Sequence, residues 1–461
     1  MLNLTFSKFF SLSRITFCFL MLAGIGPLFG QKIVVGVIGD QTGTFNLDAS
    51  YQTLEKAVAR MNHLNPNVVI HIGDLVESIA QIKEQSDYQN NFFRARDILN
   101  QLKSPWYIIA GDHDVVPPVY LPASGDRSRE TWYKDLMQQT GFAVNNQLYY
   151  SFDFSGYHFI MLYSLENLHT DPRWGSIFLN QLSAEQIAWL KQDLQAHQSA
   201  TGILVFVHHP HWYAWSNWSG IHEILRQYPV LAVITGHYHA DQDDGLIDQI
   251  RYLVTGSTGG VIKNMDRNSG GAQEITLLAV EKNKLTDIKI YDVESDSILE
   301  LTPRRSMDRL QALSCMLDNL YSDETIFEKK GDLCAPTGSG NYAPLSKIGL
   351  ESISNPIDVP ISLHITPLSD RIHSSYWING EDSTSGNTAY ILPPGARTGW
   401  SNYSSVGQWF KPNALWIGTL NPAAGVTEAV KSIGIKIHVS FQDDRERWIE
   451  SSVFFPMQVI Q

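Results

Sequence analysis

The chain has 461 residues, of which 43% are hydrophobic and 18% charged, and its formal net charge is −13. This composition excludes a disordered or fibrous chain, and the length implies two or three domains with ample residues for a large core. The acid balance disfavours nucleic-acid backbones, so no duplex binding is expected. A small phosphorylated substrate remains compatible, because bound cations can dominate the field inside one pocket.

Lys8 and Arg14 open the chain ahead of an apolar run from Ile15 to Phe29, with no acidic residue before Asp40. A basic start, a short apolar core and small residues make a secretory signal. Cleavage is expected near Gly30, with export to a periplasm, the extracellular space or a cell surface. The competing reading is an uncleaved N-terminal anchor. No later apolar run is long enough to span a bilayer, so no transmembrane helix is expected in the mature chain.

Ile33 to Gly39 reads as a first buried strand ending in Gly39-Asp40, followed by a helical pattern from Tyr51 to Leu64. Val68 to Ile72 is a second strand, ending in Gly73-Asp74. Phe92 to Leu102 is helical, and Trp106 to Ala110 is a third strand, ending in Gly111-Asp112. This alternation predicts an α/β sheet with buried strands. Tyr149–Phe154 and Tyr157–Tyr163 form a hairpin about Ser155-Gly156. Ala184 to His197 is a helix capped by Ser183, with Ile187, Leu190 and Leu194 on one face. Gly202–Val207 and Val230–Ile234 are further short strands, and a β pair covers about Glu274–Asp292.

The character changes near residue 300. Met307 to Tyr321 predicts a helix capped by Ser306, and a Gly-rich stretch from Gly331 to Ala343 follows. Beyond Ile348 there are short β-like runs, many turn residues, and Trp377, Trp400, Trp409, Trp416 and Trp448. The expected organisation is a signal at 1–30, an α/β domain at 31–300, a connector at 301–345 and a β-rich C-terminal domain at 346–461. Cys315 and Cys334, the two cysteines outside the signal, suggest one disulfide in an exported chain; two free thiols are the alternative.

Five separate strands each end in a potential metal ligand. Asp40, Asp74 and Asp112 follow the first three. His208 and His209 follow Phe206-Val207, and His237 and His239 follow Ile234 within Thr235-Gly236-His237-Tyr238-His239. In open α/β sheets ligands gather at the carboxyl ends of strands, so these residues can converge. Carboxylates and imidazoles bind Mn, Fe and Zn, and a shared carboxylate can hold two ions about 3.5–4 Å apart. The Gly before each Asp, and before His237, allows a tight turn and close backbone approach. Any single Gly-Asp or strand-end His is weak evidence; the ordered set is what carries the reading.

With that set in place, the sequence resembles the calcineurin-like metallophosphoesterases, which include the purple acid phosphatases. The resemblance covers about residues 32–295, including the hairpin Tyr149–Tyr163, the Gln186-x-x-Trp189-Leu190-x-x-Asp193-Leu194 helix and Gly256–Gly260. It implies a double β-sandwich flanked by helices, and hydrolysis of a phosphomonoester or phosphodiester by a metal-bound hydroxide. It further implies that Asp74 bridges two ions, that Asp40 and His239 bind one, and that Asp112, His208 and His237 bind the other, with His208 preferred to His209. His113 matches the residue that stabilises the transferred phosphoryl group and protonates the leaving oxygen, with Asp114 orienting it.

Two departures stand out. Asp40-Gln41-Thr42 replaces the usual Asp-x-His, so the first metal lacks a nitrogen ligand, and Gln41 or Thr42 stands where only weak binding is available. Asp112 replaces the usual Asn. Trp212, Tyr213 and Trp215 are expected on the rim of the cleft, as a stacking surface or as ordinary loop packing, and His222 is not expected to be a ligand. The alternative function is an exported, catalytically weakened binding protein whose C-terminal β domain contacts a glycan or cell surface.

Overall fold

The computed structural model describes residues 31–322 except 45, 80, 117–126, 141–146, 172–174, 180, 214–215 and 263–265. Beyond these it describes 327–329, 346–348, 353–369, 375–378, 381–382, 388–396, 416–420 and 432–458. The expected signal at 1–30, Trp215, Cys334 and the stretch 331–343 lie outside the described residues. Cys315 is exposed.

The first strands are short apolar runs because both of their faces are covered. β1 (Ile33–Ile38) leads to α1 (Leu47–Leu64), β2 (Val68–His71), α2 (Gln85–Leu99), β3 (Trp106–Ile108), α3 (Asp112–Val115) and α4 (Ser128–Gln139). The hairpin β4 (Tyr150–Phe154) and β5 (Tyr157–Leu162) follows, then a second hairpin of β6 (Asn167–Asp171) and β7 (Gly175–Leu179). Next come α5 (Ala184–Ala196), β8 (Ile203–Val207), α6 (Trp218–Leu225), β9 (Val230–Thr235), β10 (Gln242–Ile247) and β11 (Ile250–Val254). β12 (Glu274–Glu281), β13 (Lys284–Asp292) and β14 (Ile298–Leu299) complete this half.

Two six-stranded sheets result, ordered β14-β13-β12-β1-β2-β3 and β10-β11-β9-β8-β5-β4. β1, β2 and β3 are parallel, as are β5, β8, β9 and β11. Val35, Val37 and Ile70 of one sheet pack against Phe159, Phe206 and Ile234 of the other. α1, α2 and α4 cover the outer face of the first sheet, and α5 and α6 that of the second. The architecture is therefore the α/β double sandwich flanked by helices.

α2 starts seven residues before the expected Phe92. Tyr88, Phe92, Ala95 and Leu99 are all buried, so the apolar stripe extends through a first turn whose other residues are polar. Ser183 caps α5, accepting from the Gln186 amide at 3.0 Å. α7 (Arg304–Ser322) starts ahead of Ser306, so Ser306 is not its cap; its hydroxyl faces Asp443 at 3.4 Å.

The C-terminal region is β-rich. β15 (Phe327–Lys329), β16 (Ser346–Ile348), β17 (Ile361–Ser369), β18 (Ser375–Ile378), β19 (Glu381–Asp382), β20 (Thr388–Leu392), β21 (Trp416–Leu420), β22 (Ser432–Gln442) and β23 (Trp448–Gln458) form two sheets. In one of them, β20-β17-β22-β23, α7 packs on β23. Among the described residues no helix is long and apolar enough to cross a membrane.

Candidate metal centre

The parallel strands of both sheets deliver their carboxyl ends to one place. Asp40, Asp74, His237 and His239 all adopt positive φ, at 51°, 58°, 71° and 55°. Left-handed backbone in four non-Gly residues is costly and persists only where surrounding contacts fix it. Here the glycines let the turns close. A Cβ at Gly73 would lie 2.7 Å from His208 Nδ1, one at Gly236 would collide with the Asp40 carboxylate, and one at Gly111 with Asp74. The Gly256–Gly260 segment supports the Asp40 turn from behind: the Ser257 hydroxyl donates to Asp40 O at 2.6 Å and the Thr258 amide to Gly39 O at 2.7 Å.

His208 sits at the centre and is fully buried. Its Nδ1 faces the Ile72 carbonyl at 2.8 Å, which fixes that nitrogen as the donor and leaves Nε2 as the ligand nitrogen. Nε2 is 3.1 Å from Asp112 Oδ1 and 3.5 Å from Asp74 Oδ2. His237 Nδ1 reaches the same Asp112 oxygen at 3.0 Å, and His209 Nε2 approaches it at 3.6 Å. Of the two adjacent histidines, His208 is thus the closer, while His209 Nδ1 pairs with the Ser164 hydroxyl at 2.8 Å.

The ligand atoms of Asp112, His208, His209 and His237 lie within 4.8 Å of one another, as do those of Asp40, Asp74 and His208, and of Asp74, Asp112 and His113. His239 stands outside these groups; its Nδ1 faces the Val261 carbonyl at 2.7 Å, which makes that nitrogen the donor. Asp40 also accepts from the His237 amide, at 2.9 and 3.0 Å. Thr42 is buried and donates its hydroxyl to Asp74 Oδ2 at 3.0 Å. Gln41 donates to the Leu75 carbonyl at 2.6 Å.

The charges in this space suit cations. Burial pushes the Asp40 carboxyl up to about 8, against His208 and with help from Asp74 and Asp112. Burial and Asp112 also push the Asp74 carboxyl up, but His208 and His113 hold it below the usual carboxylate range. Burial likewise opposes the charge on Asp112, yet bonds from His208 and His237 keep it well below that range. Burial holds His209 well below the ordinary histidine range, with His237 and His208 adding to it. Closely packed carboxylates that raise one another, with imidazole nitrogens facing them, are a donor set that divalent metals satisfy.

His113 lies beside this cluster, its backbone amide donating to Asp74 Oδ1 at 2.9 Å. Asp114 does not orient its imidazole. The Asp114 carboxylate turns inward and accepts from the backbone amides of Asp74, Leu75, Val76 and Gly111 at 2.8–2.9 Å. The carboxylate on His113 is Glu77, whose Oε1 is 2.7 Å from Nδ1. Sequence reasoning missed Glu77, although it stands in the loop that follows Asp74. Burial opposes protonation of His113, but Asp74 and Glu77 together raise it to about 9. Because Glu77 accepts at Nδ1, only the cationic ring can also donate from Nε2.

The expected aromatic rim divides. Trp212 packs edge-on to Tyr252 at 4.7 Å against the α6 core, and its ring N–H donates to Asp244. Tyr213 also donates to Asp244, and Arg304 covers its ring at 4.8 Å. His222 bonds Tyr252 and Asp248 and plays no part in the cluster.

Residues 33–241 match the calcineurin-like phosphoesterase family. Over this segment, somewhat less than half of its length, the chain is similar to that family. It is 31% identical over 150 residues to purple acid phosphatase 23 of Arabidopsis thaliana, covering 30% of this chain and 29% of that protein. It is 29% identical over 296 residues to the uncharacterized protein YvnB of Bacillus subtilis, covering 58% and 21%. Against purple acid phosphatase 15 of Arabidopsis thaliana the identity is 25% over 234 residues, covering 45% and 40%. The chain thus spans 40% or less of the length of each of these relatives. A solved dimetal phosphatase from Danio rerio is 13% identical, with a TM-score of 0.42, covering 59% of this chain and 99% of that one. A purple acid phosphatase from yellow lupin seeds (Lupinus luteus) is also 13% identical, with a TM-score of 0.40, covering 61% and 56%.

Proposed function

We propose that the chain is an exported metal-dependent phosphoric ester hydrolase acting on a small phosphomonoester or phosphodiester. One observation carries the reading: candidate ligand groups from five strand ends, remote in sequence, meet around His208, with Asp40 and Asp74 buried and Asp112 partly so. Asp40, Asp74 and His239 would hold one ion, and Asp74, Asp112, His208 and His237 another. When bound, the ions supply Lewis-acid charge for the phosphate oxygens and lower the pKa of water. His113 holds a proton at Nε2 for the leaving oxygen, and Glu77 keeps the ring charged and oriented. Ser164 fixes His209 behind the second set.

The Thr42 hydroxyl is engaged with Asp74, so the first set is short of a nitrogen and favours an oxygen-preferring ion such as Mn over Zn or Fe. That same contact favours the second reading, a weakened enzyme acting as a binding protein. We assign residues 31–300 to the phosphoesterase unit and 346–461 to the β-rich unit, with export directed by residues 1–30.

The test is turnover of an aryl phosphate by the full chain loaded with Mn, Fe, Zn or Mg, alongside metal analysis. Asp74→Asn is expected to remove activity by about three orders of magnitude or more and to release metal. Failure of every metal to support turnover, together with fewer than about one ion bound per chain, rejects the enzyme reading.

A further inference from the structure

A cleft of about 830 Å³ lies where the phosphoesterase unit meets α7 and the C-terminal sheet. Its size falls within the roughly 300–1,000 Å³ of small-molecule sites, far more than a phosphate group needs. Tyr238 and Gln242 lie on the near wall, and Gln311 of α7 with Lys436, His438 and Glu450 on the far wall. Tyr238 separates His237 from His239 in the sequence, and its ring is 5.9 Å from that of His237. The cleft therefore shares a turn with the metal centre.

The far wall is fixed to the near one. Within the far wall, the side chain of Arg309 on α7 is 5% exposed and bonds Asp358 at 2.7 Å and Asp444 at 2.9 Å, and three bonds tie that wall to the near one. The Asn268 amide donates to Trp448 O at 2.9 Å, Arg445 donates to Leu301 O at 2.9 Å, and the Glu450 amide donates to the Asp266 carboxylate. Ion pairs and backbone bonds on both sides of the cleft make it a built feature of the fold.

The chemistry of the walls narrows the ligand. Asp266, Asp308 and Glu450 outnumber Lys436, so a second phosphate or a polyanionic tail is repelled. Amide, carboxylate, imidazole and serine groups offer donors and acceptors together, and Ser314, Ser451 and Ser452 add hydroxyls. Tyr238 adds an aromatic surface next to the metal turn. A neutral, hydroxyl-rich ring with one apolar face matches that set.

We propose that this cleft binds the sugar of a phosphorylated carbohydrate whose phosphate is seated at the metal centre. The inference rests on the phosphoesterase reading above and assigns the C-terminal sheet as the wall that selects the substrate. The ring packs on Tyr238, and its hydroxyls bond Gln311 and Glu450.

The experiment compares kcat/KM of the Mn-loaded full chain for a hexose 1-phosphate, a nucleoside monophosphate and an aryl phosphate. The hexose phosphate is expected to lead the other two by about tenfold or more, and Gln311→Ala combined with Glu450→Gln to reduce that lead to about twofold or less. Equal rates, a lead for the nucleotide, or a lead that the double variant leaves intact overturns the proposal. Saturation-transfer NMR with an unphosphorylated methyl hexoside tests the cleft without turnover. Contact with the hexoside that the double variant abolishes supports the cleft even if every ester fails, an outcome that rejects only the phosphoesterase reading. No contact with wild-type protein rejects the cleft.

Discussion

Replacing Glu77 by Gln removes the charge facing His113 while preserving the size of the side chain. The two groups are 2.7 Å apart, with Glu77 3% exposed and His113 27% exposed. Unit charges about 4 Å apart attract by about 4 kcal/mol at an effective dielectric constant of about 20. His113 is partly open to water, and Gln keeps an oxygen for its Nδ1–H, so roughly one third to two thirds of that figure is lost. A loss of about 1.4–2.8 kcal/mol corresponds to about one to two pH units. His113 is raised to about 9, so its cationic form is present below that value and lost above it. The variant should therefore lose activity on the alkaline side about one to two pH units earlier than wild type. Bound cations depress both profiles alike, so the difference between them survives metal loading. The assay is kcat/KM for an aryl phosphate from pH 5 to 10 at saturating Mn, with circular dichroism to check folding. An unchanged alkaline limb, or one moved upward, would show that Glu77 does not hold the charge on His113.

Thr42→His places a nitrogen beside Asp40 and Asp74 and should tighten the weaker metal site by about tenfold or more, read by calorimetric titration with Mn and Zn; unchanged affinity would mean that residue 42 does not face the ion. Phe206→Ala opens a void between the two sheets, where Phe206 is fully buried, and should cost about 3–5 kcal/mol in denaturant unfolding. A cost below about 1 kcal/mol would contradict the tight packing of that core. His158 is wedged between Asp153 and Asp193, each at 2.7 Å, and although burial opposes its charge these carboxylates raise its pKa above 6.5. The stability it contributes is complete below about 6.5, the unfolded value, and declines as pH rises through the higher folded value. Tm should fall over that window in wild type and less steeply in Asp193→Asn; parallel curves from the two proteins would contradict this.

Most of both sheets and the candidate ligand turns were legible because buried parallel strands leave short apolar runs, and five of these runs lead into Gly-Asp or histidines; the strands β10, β11 and β14 were not read. Glu77 was not. Its partner is 36 residues away, and the contact depends on how two loops fold over each other, which leaves no periodicity or spacing to read. Asp114 was assigned the orienting role by its place next to His113. Four backbone amides claim its carboxylate instead, because the loop after Asp74 has to satisfy its N–H groups in a buried space. The polar hairpin of β6 and β7 also escaped notice, since Asn167–Asp171 lacks an apolar alternation. Trp212 and Tyr213 were read as rim of the metal cleft; both donate to Asp244, and Tyr213 also lines the separate cleft beside α7. The indole N–H of Trp212 found a half-buried acceptor in Asp244, and its ring found Tyr252.

The turns that carry the ligands explain why the centre depends so closely on glycine. Four candidate ligand residues occupy left-handed backbone, at a cost of about 1–3 kcal/mol each where nothing compensates. The compensation is local and polar. Asp40 accepts twice from the His237 amide, Asp114 collects four amides around Asp74, and Ser257 with Thr258 ties the Asp40 turn to the segment before β12. These bonds come from the protein itself and hold the ligand carboxylates close together whether or not a cation is bound. The repulsion among Asp40, Asp74 and Asp112 is therefore built in by the backbone, and binding positive charge is what relieves it. A Cβ at Gly73, Gly111 or Gly236 would push apart the very groups whose closeness creates that affinity. The glycines thus set how closely the candidate ligand groups can pack, and with it the pull of this pocket on a cation.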